Sequence, residues 1–499
     1  MKSLLALNPM IWNYRERLFL GGVFIVLTNV FAVWAPSMIG EGVNALNDAN
    51  RDFLVPLNQG VPFQELASKH IRIPENLKTL SSTLGMELDI QKAPTSREDV
   101  LHAVMWIGLM QALLFLLAYF IKGVFSFLTR QTVIVMSRLV EFDLKSKIYD
   151  QYQILDATFY KNHDTGDLMN RISEDVSNVR MYLGPAIMYT LNLIVLVGMV
   201  VGAMMYIDPV LTGFALLPLP FMSLGIYLVS SRIQRKSDAR QQAQSAVSSF
   251  VQQHIAGIRV LKSFHRERAA AERFDEETKA YKFKVLDLVK VEAMFMPIIV
   301  LLVGLSTILT VYVGGLRVES GHLEIGHIFQ FVFYVNLLTW PFASVGWVTS
   351  LVQKAEASMA RILDFMHAIP TVQSPLEHAR TSPVSNAPCL SFHHVSWTYP
   401  ETGIEALKDV SFEVGHGETI GITGRTGSGK STVLQLAMRI MDPDEGNITL
   451  DGTPLRDWHL QSLRKELGYV PQDVFLFSDT IGNNITFGNQ HATSEEAIR

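Results

Sequence analysis

The residues best suited to chemistry sit together late in the chain, in the stretch 419–432, TIGITGRTGSGKST. Gly424, Arg425, Thr426, Gly427, Ser428, Gly429, Lys430, Ser431 and Thr432 set out the order Gly-x-x-x-x-Gly-Lys-Ser-Thr. Glycines let the backbone wrap so that successive N–H groups and a helix start point at phosphate oxygens; Lys430 then reaches the β- and γ-phosphates and Ser431 offers a hydroxyl to Mg²⁺. Ile420 and Ile422 predict a short strand before the loop, and Val433–Met438 a helix after it. A glycine-rich turn can match this pattern by chance. The flanking strand and helix, with Lys-Ser in register, favour a cradle for ATP and Mg²⁺.

Two more residues stand where such a site could use them. Tyr399 closes the phrase Val395–Pro400 at an expected strand end, with Pro400 fixing the turn; it either stacks on adenine or packs as an ordinary tyrosine. Gln472 ends Gly468–Gln472, a strand-like phrase with a Pro-Gln turn. It either touches Mg²⁺ or the attacking water, or is an ordinary surface glutamine.

These residues need elements to position them, and the composition says what kind. At 499 residues the chain exceeds one soluble core, and 48% hydrophobic against 18% charged residues points to membrane spans, as does a mean hydropathy of +0.22. A net charge of −5, without a basic face interleaved with aromatics, argues against nucleic acid as a partner. Cys389 is the single cysteine, which excludes an internal disulfide and a Cys-based metal cluster and makes it by default a small apolar residue near a domain start. The N-terminus reads as a cytoplasmic lead-in to the first apolar run, since no small-residue cleavage site follows it.

Six apolar runs have the length a bilayer requires: 18–39, 101–128, 182–207, 210–229, 294–313 and 328–351. Residues 42–99 between the first two are polar and rich in proline, and are expected to form an outer loop with some structure of its own. Asp208-Pro209 predicts a tight outer hairpin, and 314–326 a short outer loop. Lys122 either faces a substrate path or snorkels to headgroups at the inner face; Arg130 just beyond it favours snorkelling. The basic stretch Arg232–Lys284 is cytoplasmic by the positive-inside rule. The expected organisation is a membrane domain at 1–353, a charged then proline-rich linker at 354–388, and an α/β nucleotide domain at 389–499.

The order of six spans, linker, Tyr399, Gly424–Ser431 and Gln472 resembles an ATP-binding-cassette exporter half-transporter over nearly the whole chain. Phe159–Leu168 and Gly257–Phe264 are similar to the two cytoplasmic loops of those exporters. The resemblance implies a six-helix transmembrane domain followed by a partial α/β P-loop NTPase domain. It implies adenine stacking by Tyr399, catalytic roles for Lys430 and Gln472, and Mg²⁺ contacts from Ser431 and Gln472. It also implies coupling helices at Asp164–Met169, where Asp164 and Thr165 are suitable caps, and at roughly Ser248–Gly257. No LSGGQ-like stretch, no apolar strand ending in Asp-Glu and no switch histidine follows Gln472. The chain is therefore expected to be an N-terminal piece of a subunit, one that does not hydrolyse ATP by itself.

The function implied is ATP-driven export across the cell (inner) membrane, with N-terminus and nucleotide domain cytoplasmic. Partners would be a second half-transporter subunit, identical or sister, and the lipid bilayer. Leu337–Phe342 and Ala357–Arg361 look most similar to bacterial multidrug half-transporters, which implies an amphipathic drug-like or lipid substrate. A lipid flippase of the lipid A exporter type is the alternative within the family. An ATP-gated regulatory or channel-like membrane protein is the alternative outside it, separated by uphill solute movement. A P-loop kinase would have no use for six spans.

Overall fold

Among the described residues, six helices in the computed structural model carry apolar windows long enough to cross a bilayer: Arg15–Asn58, Arg97–Ile154, Thr165–Ile207, Pro209–Ala256, Glu267–Glu319 and Ile325–Met366. In hydrocarbon every backbone N–H and C=O must be satisfied within the segment, so apolar runs of this length fold as helices. The structure describes residues 3–66, 69–84, 96–375, 389–400, 402–472 and 475–488. The expectation for the proline-rich part of the linker, 376–388, lies outside those residues. The chain divides into two compact units, one of residues 1–147 and 171–364, the other of residues 148–170 and everything from 365 onward.

In the first unit the spans turn Leu196, Val200, Met204, Leu211, Met222, Phe331, Tyr334 and Leu338 into a common core. Phe19, Leu116, Phe120, Leu301 and Ile308 stay exposed on the outer faces, as lipid-facing residues do. The first and last spans meet backbone to backbone: a Cβ added to Gly326 would lie 1.9 Å from the Gly40 carbonyl oxygen. Asn44 Oδ1 accepts from the Gly326 N–H at 2.6 Å beside that contact. Small residues allow such close approach between membrane helices. Lys122 is half-buried and lays its ammonium 4.7 Å from the Tyr119 ring centroid.

Three expectations about the connections need correction. Residues 42–58 are not loop but a continuation of the first span's helix. They continue because Ala45 and Phe53 pack into a cluster with Leu66, Ile71, Ile73, Leu77, Val100 and Ile107, which makes a small folded cap of the segment. Residues 314–319 are helical too, and the turn is confined to 320–324, with Gly321 at φ 74. Gly314 lies in the helix, where a Cβ would meet Ile328 at 2.9 Å. The short helix of the second cytoplasmic loop lies at Ile258–Ser263; Ser248–Ala256 is the end of the long helix Pro218–Ala256. Gly257, at φ −90 and ψ 15, breaks the helix there, so the helical restart falls after the glycine. Asp208-Pro209 makes the expected hairpin: Asp208 Oδ1 accepts from Leu211 N at 2.8 Å, Pro209 takes the first helical position, and Arg317 donates to Asp208 Oδ2 at 2.6 Å.

The second unit holds a four-stranded antiparallel sheet in the order β2-β1-β3-β4, with β1 Leu390–Tyr399, β2 Ile404–Val414, β3 Glu445–Leu450 and β4 Thr453–Pro454. Phe392, Val395, Trp397, Leu407 and Ile448 from the sheet pack with Val433 and Leu436 of the helix Lys430–Ala437, and with Trp458 and Leu463. The helix Thr165–Asn170 belongs to this unit and lies where a short helix is expected in the first cytoplasmic loop. Asp156, in the turn before the helix Ala157–Lys161, accepts from the backbone N–H groups of Thr371 and Val372 at 2.6 and 3.1 Å. Gln373 O accepts from Arg439 at 3.0 Å and Ser374 Oγ from Leu460 N at 3.0 Å, so residues 371–374 are stitched into the unit.

Candidate nucleotide site

The phosphate loop takes its shape from positions that exclude side chains. Gly427 and Gly429 hold φ of 83 and 84, a left-handed backbone that favours glycine. A Cβ on Gly429 would also meet the Ala406 carbonyl oxygen at 2.3 Å, so the loop lies directly on β2. Gly429 is the N-cap of the helix Lys430–Ala437, whose Val433 and Leu436 anchor it in the core. A helix so fixed presents its free N–H groups and positive end to an anion.

Lys430 folds back over the loop, donating from Nζ to the carbonyl oxygens of Gly424 and Arg425 at 3.0 and 2.8 Å. Ser431 is exposed on the first helical turn. These groups fit a nucleotide phosphate with its magnesium: a glycine-shaped cradle, one cation held at its rim and one hydroxyl beside it.

Tyr399 ends β1 as expected, and the structure adds three partners the sequence did not suggest. Its hydroxyl lies 3.1 Å from Thr432 Oγ1, a side chain buried next to the loop. Trp397 meets its ring edge-on, with centroids 4.2 Å apart. Lys161 places its ammonium 3.8 Å from the ring centroid. A cavity of about 290 Å³ opens here between Thr158, Lys161, Trp397, Tyr399, Gln435 and Met441. Thr432, expected as a nucleotide contact, thus directs its side chain at Tyr399 and fixes the aromatic relative to the loop.

Two local expectations fail. Residues 419–422 form no strand among the described residues, and Ile420 and Ile422 are 47% and 40% exposed. Residues 468–471 form none either, and Val470 is 89% exposed. A strand exists only within a hydrogen-bonded ladder, and among the described residues no segment pairs with either stretch. Gln472 is exposed and, among the described residues, makes no hydrogen bond to the loop. The structure brings Tyr399, Thr432 and residues 424–431 together.

Comparison with known proteins matches residues 18–342 to the ABC transporter transmembrane region family and residues 407–499 to the ABC transporter family. The chain is 32% identical over 367 residues to the probable multidrug resistance ABC transporter ATP-binding/permease protein YheI of Bacillus subtilis, covering 72% of this chain and 61% of that protein. It is 31% identical over 398 residues to the multidrug resistance-like ATP-binding protein MdlA of Escherichia coli, covering 79% of this chain and 65% of that one. It therefore spans less than two thirds of the length of these relatives. Six apolar helices in ABC membrane-domain order, followed by a glycine-shaped phosphate loop, make it a multi-pass membrane protein, and the chain belongs to the ABC transporter family.

Proposed function

We propose that this chain is the membrane and nucleotide-binding part of a half-transporter that uses ATP to export an amphipathic, drug-like or lipid molecule. The observation that carries this reading is the phosphate loop with Tyr399 beside it, in one chain with six spans. The names of the bacillar and enterobacterial relatives, both of multidrug type, support the substrate class. A lipid A-type flippase remains the narrower alternative.

In this reading residues 1–353 form the membrane domain, 354–388 the linker and 389–499 the nucleotide domain. Lys430 leaves its loop carbonyls to hold the β- and γ-phosphates, Ser431 and Gln472 hold Mg²⁺, and Tyr399 receives the adenine. A Mg²⁺ ion held by these residues would supply charge to offset that developing on the phosphates. The short helices Thr165–Asn170 and Ile258–Ser263 carry movement between nucleotide and membrane domains. A second, identical or sister subunit completes the machine in the inner membrane, with both nucleotide domains cytoplasmic.

Lys430→Ala in the complete gene product, purified and reconstituted, tests the reading. We expect ATPase activity and solute transport to fall to background while membrane insertion is unchanged. Turnover at the wild-type level would overturn it, and ATP consumption without uphill solute movement would favour the gating alternative.

A further inference from the structure

The ends of three strands in the nucleotide unit converge on three different metal-binding side chains. Leu390 at the start of β1 pairs with Val414 at the end of β2 on one side and with Leu450 at the end of β3 on the other. The next residues outward are Cys389, Gly415 and Asp451, and Asp451 N donates to Cys389 O at 3.1 Å. His416 follows Gly415 in a turn held by the Gly415 N–H on Glu418 Oε2 at 2.6 Å and by Gly417 at φ 79. Strand register, then, and not chance approach of loops, sets Cys389, His416 and Asp451 side by side.

Their ligand atoms all lie within 4.8 Å of one another. His416 Nε2 is 3.3 Å from Asp451 Oδ1. That oxygen is screened from solvent and, among the described residues, makes no hydrogen bond. A buried carboxylate oxygen without a hydrogen bond costs free energy. Two zinc ligands bound tetrahedrally at about 2.0–2.1 Å stand about 3.3–3.4 Å apart, the spacing seen here. Closing the thiol onto the same centre needs a side-chain movement of about 1 Å, since a bond of about 2.3 Å to sulfur puts it roughly 3.6 Å from the other two ligands.

We propose that Cys389, His416 and Asp451 form a three-ligand site for a divalent cation of the zinc class, clipping together the ends of β1, β2 and β3. Thiolate, neutral imidazole and carboxylate balance the charge of such an ion, and Cys389 releases its proton on binding. Sulfur and nitrogen donors select zinc, cobalt or nickel over magnesium and calcium, so the site is chemically distinct from the magnesium expected at Ser431. His416 is mostly exposed, which leaves an entry path and a fourth position for water.

The single cysteine makes the test specific. The full chain, purified without a metal-binding tag and with its one thiol shown to be reduced, is titrated with Co²⁺. One equivalent should produce a sulfur-to-cobalt charge-transfer band that only Cys389 can give, displaced by Zn²⁺ and untouched by excess Mg²⁺. Cys389→Ser should abolish the band; His416→Ala and Asp451→Asn should each weaken Co²⁺ binding at least about tenfold. Zn²⁺ should also slow alkylation of the unmodified chain at least about tenfold, a measurement that needs no variant. No band at millimolar Co²⁺ with a reduced thiol, a band indifferent to His416→Ala and Asp451→Asn, or alkylation unchanged by Zn²⁺ would each overturn the proposal.

Discussion

The ammonium of Lys161 lies 3.8 Å from the ring centroid of Tyr399, bringing the short helix Ala157–Lys161 onto the aromatic expected to receive adenine. A cation over a ring face is held by about 0.5–1 kcal/mol at an exposed site, and a base stacking on that face must displace it. Lys161→Ala should therefore tighten nucleotide binding by about two- to fivefold in an equilibrium titration. Unchanged affinity would place the base on the opposite face of the ring, and weakened affinity would mean that Lys161 holds the tyrosine in its binding pose.

Tyr399→Ala should weaken ATP binding by about 1–2 kcal/mol, the scale of lost stacking. Tyr399→Phe keeps the ring and loses only the contact with Thr432 Oγ1, so its cost should stay near 1 kcal/mol or less. Thr432→Val should cost about the same as Tyr399→Phe, and the double variant no more than either, because both remove one hydrogen bond. Phe and Ala variants equally impaired would show that the hydroxyl, and not the ring, carries the binding.

Asp156 gives a pH dependence with a definite sign. Burial pushes its carboxyl up, but hydrogen bonds from the Thr371 hydroxyl and from the N–H groups of Phe159, Val372 and Thr371 outweigh that and hold it below its ordinary value. A depressed carboxyl stabilises the folded state above the ordinary aspartate value of about 3.9 and loses that contribution as pH falls toward the lower folded value. Hydrogen exchange at the Thr371 and Val372 amides should show constant protection from neutral pH to about pH 4 and growing loss below it. Asp156→Asn should weaken that protection by about 1–3 kcal/mol at neutral pH, and its difference from wild type should shrink in acid. A gap independent of pH would assign the effect to shape instead of charge.

What was legible in the sequence followed from local pattern. Six apolar runs, the glycine spacing of 424–431 and the hairpin at Asp208-Pro209 each specify their structure within a few residues, and each appears. Elements that depend on partners elsewhere were not legible. Ile420 and Ile422 look like a strand, yet strand formation is decided by the neighbouring ladder. Phe53 lies within a helix in a nominal loop and packs in one core with Ile71 and Ile107. Lys161 on Tyr399, Asp156 on residues 371–372 and Arg361 on Asp175 join positions with no spacing rule between them.

The topology decides on which face every one of these residues works, and the proposed arrangement, in which Arg15, Arg17, the stretch 232–284 and the nucleotide unit are cytoplasmic, rests on the positive-inside rule. The basic residues of the first connection, Lys69, Arg72 and Lys78 among them, argue weakly against an outer position for it. The cap structure reduces that objection: Arg72 reaches Asp48 at 3.1 Å and Glu324 at 2.5 Å, and Lys69 lies 3.8 Å from Asp52, so two of these charges are paired within the cap. Ser82 is exposed on the helix Glu75–Leu84, and Ser245 is exposed on the long helix Pro218–Ala256. In a Cys389→Ser background, a cysteine at Ser82 should react with a membrane-impermeant thiol reagent in intact cells, and a cysteine at Ser245 should react only after the cells are opened. Labelling of the Ser245→Cys chain and not the Ser82→Cys chain in intact cells would invert the arrangement, and the nucleotide unit would then face a compartment without ATP.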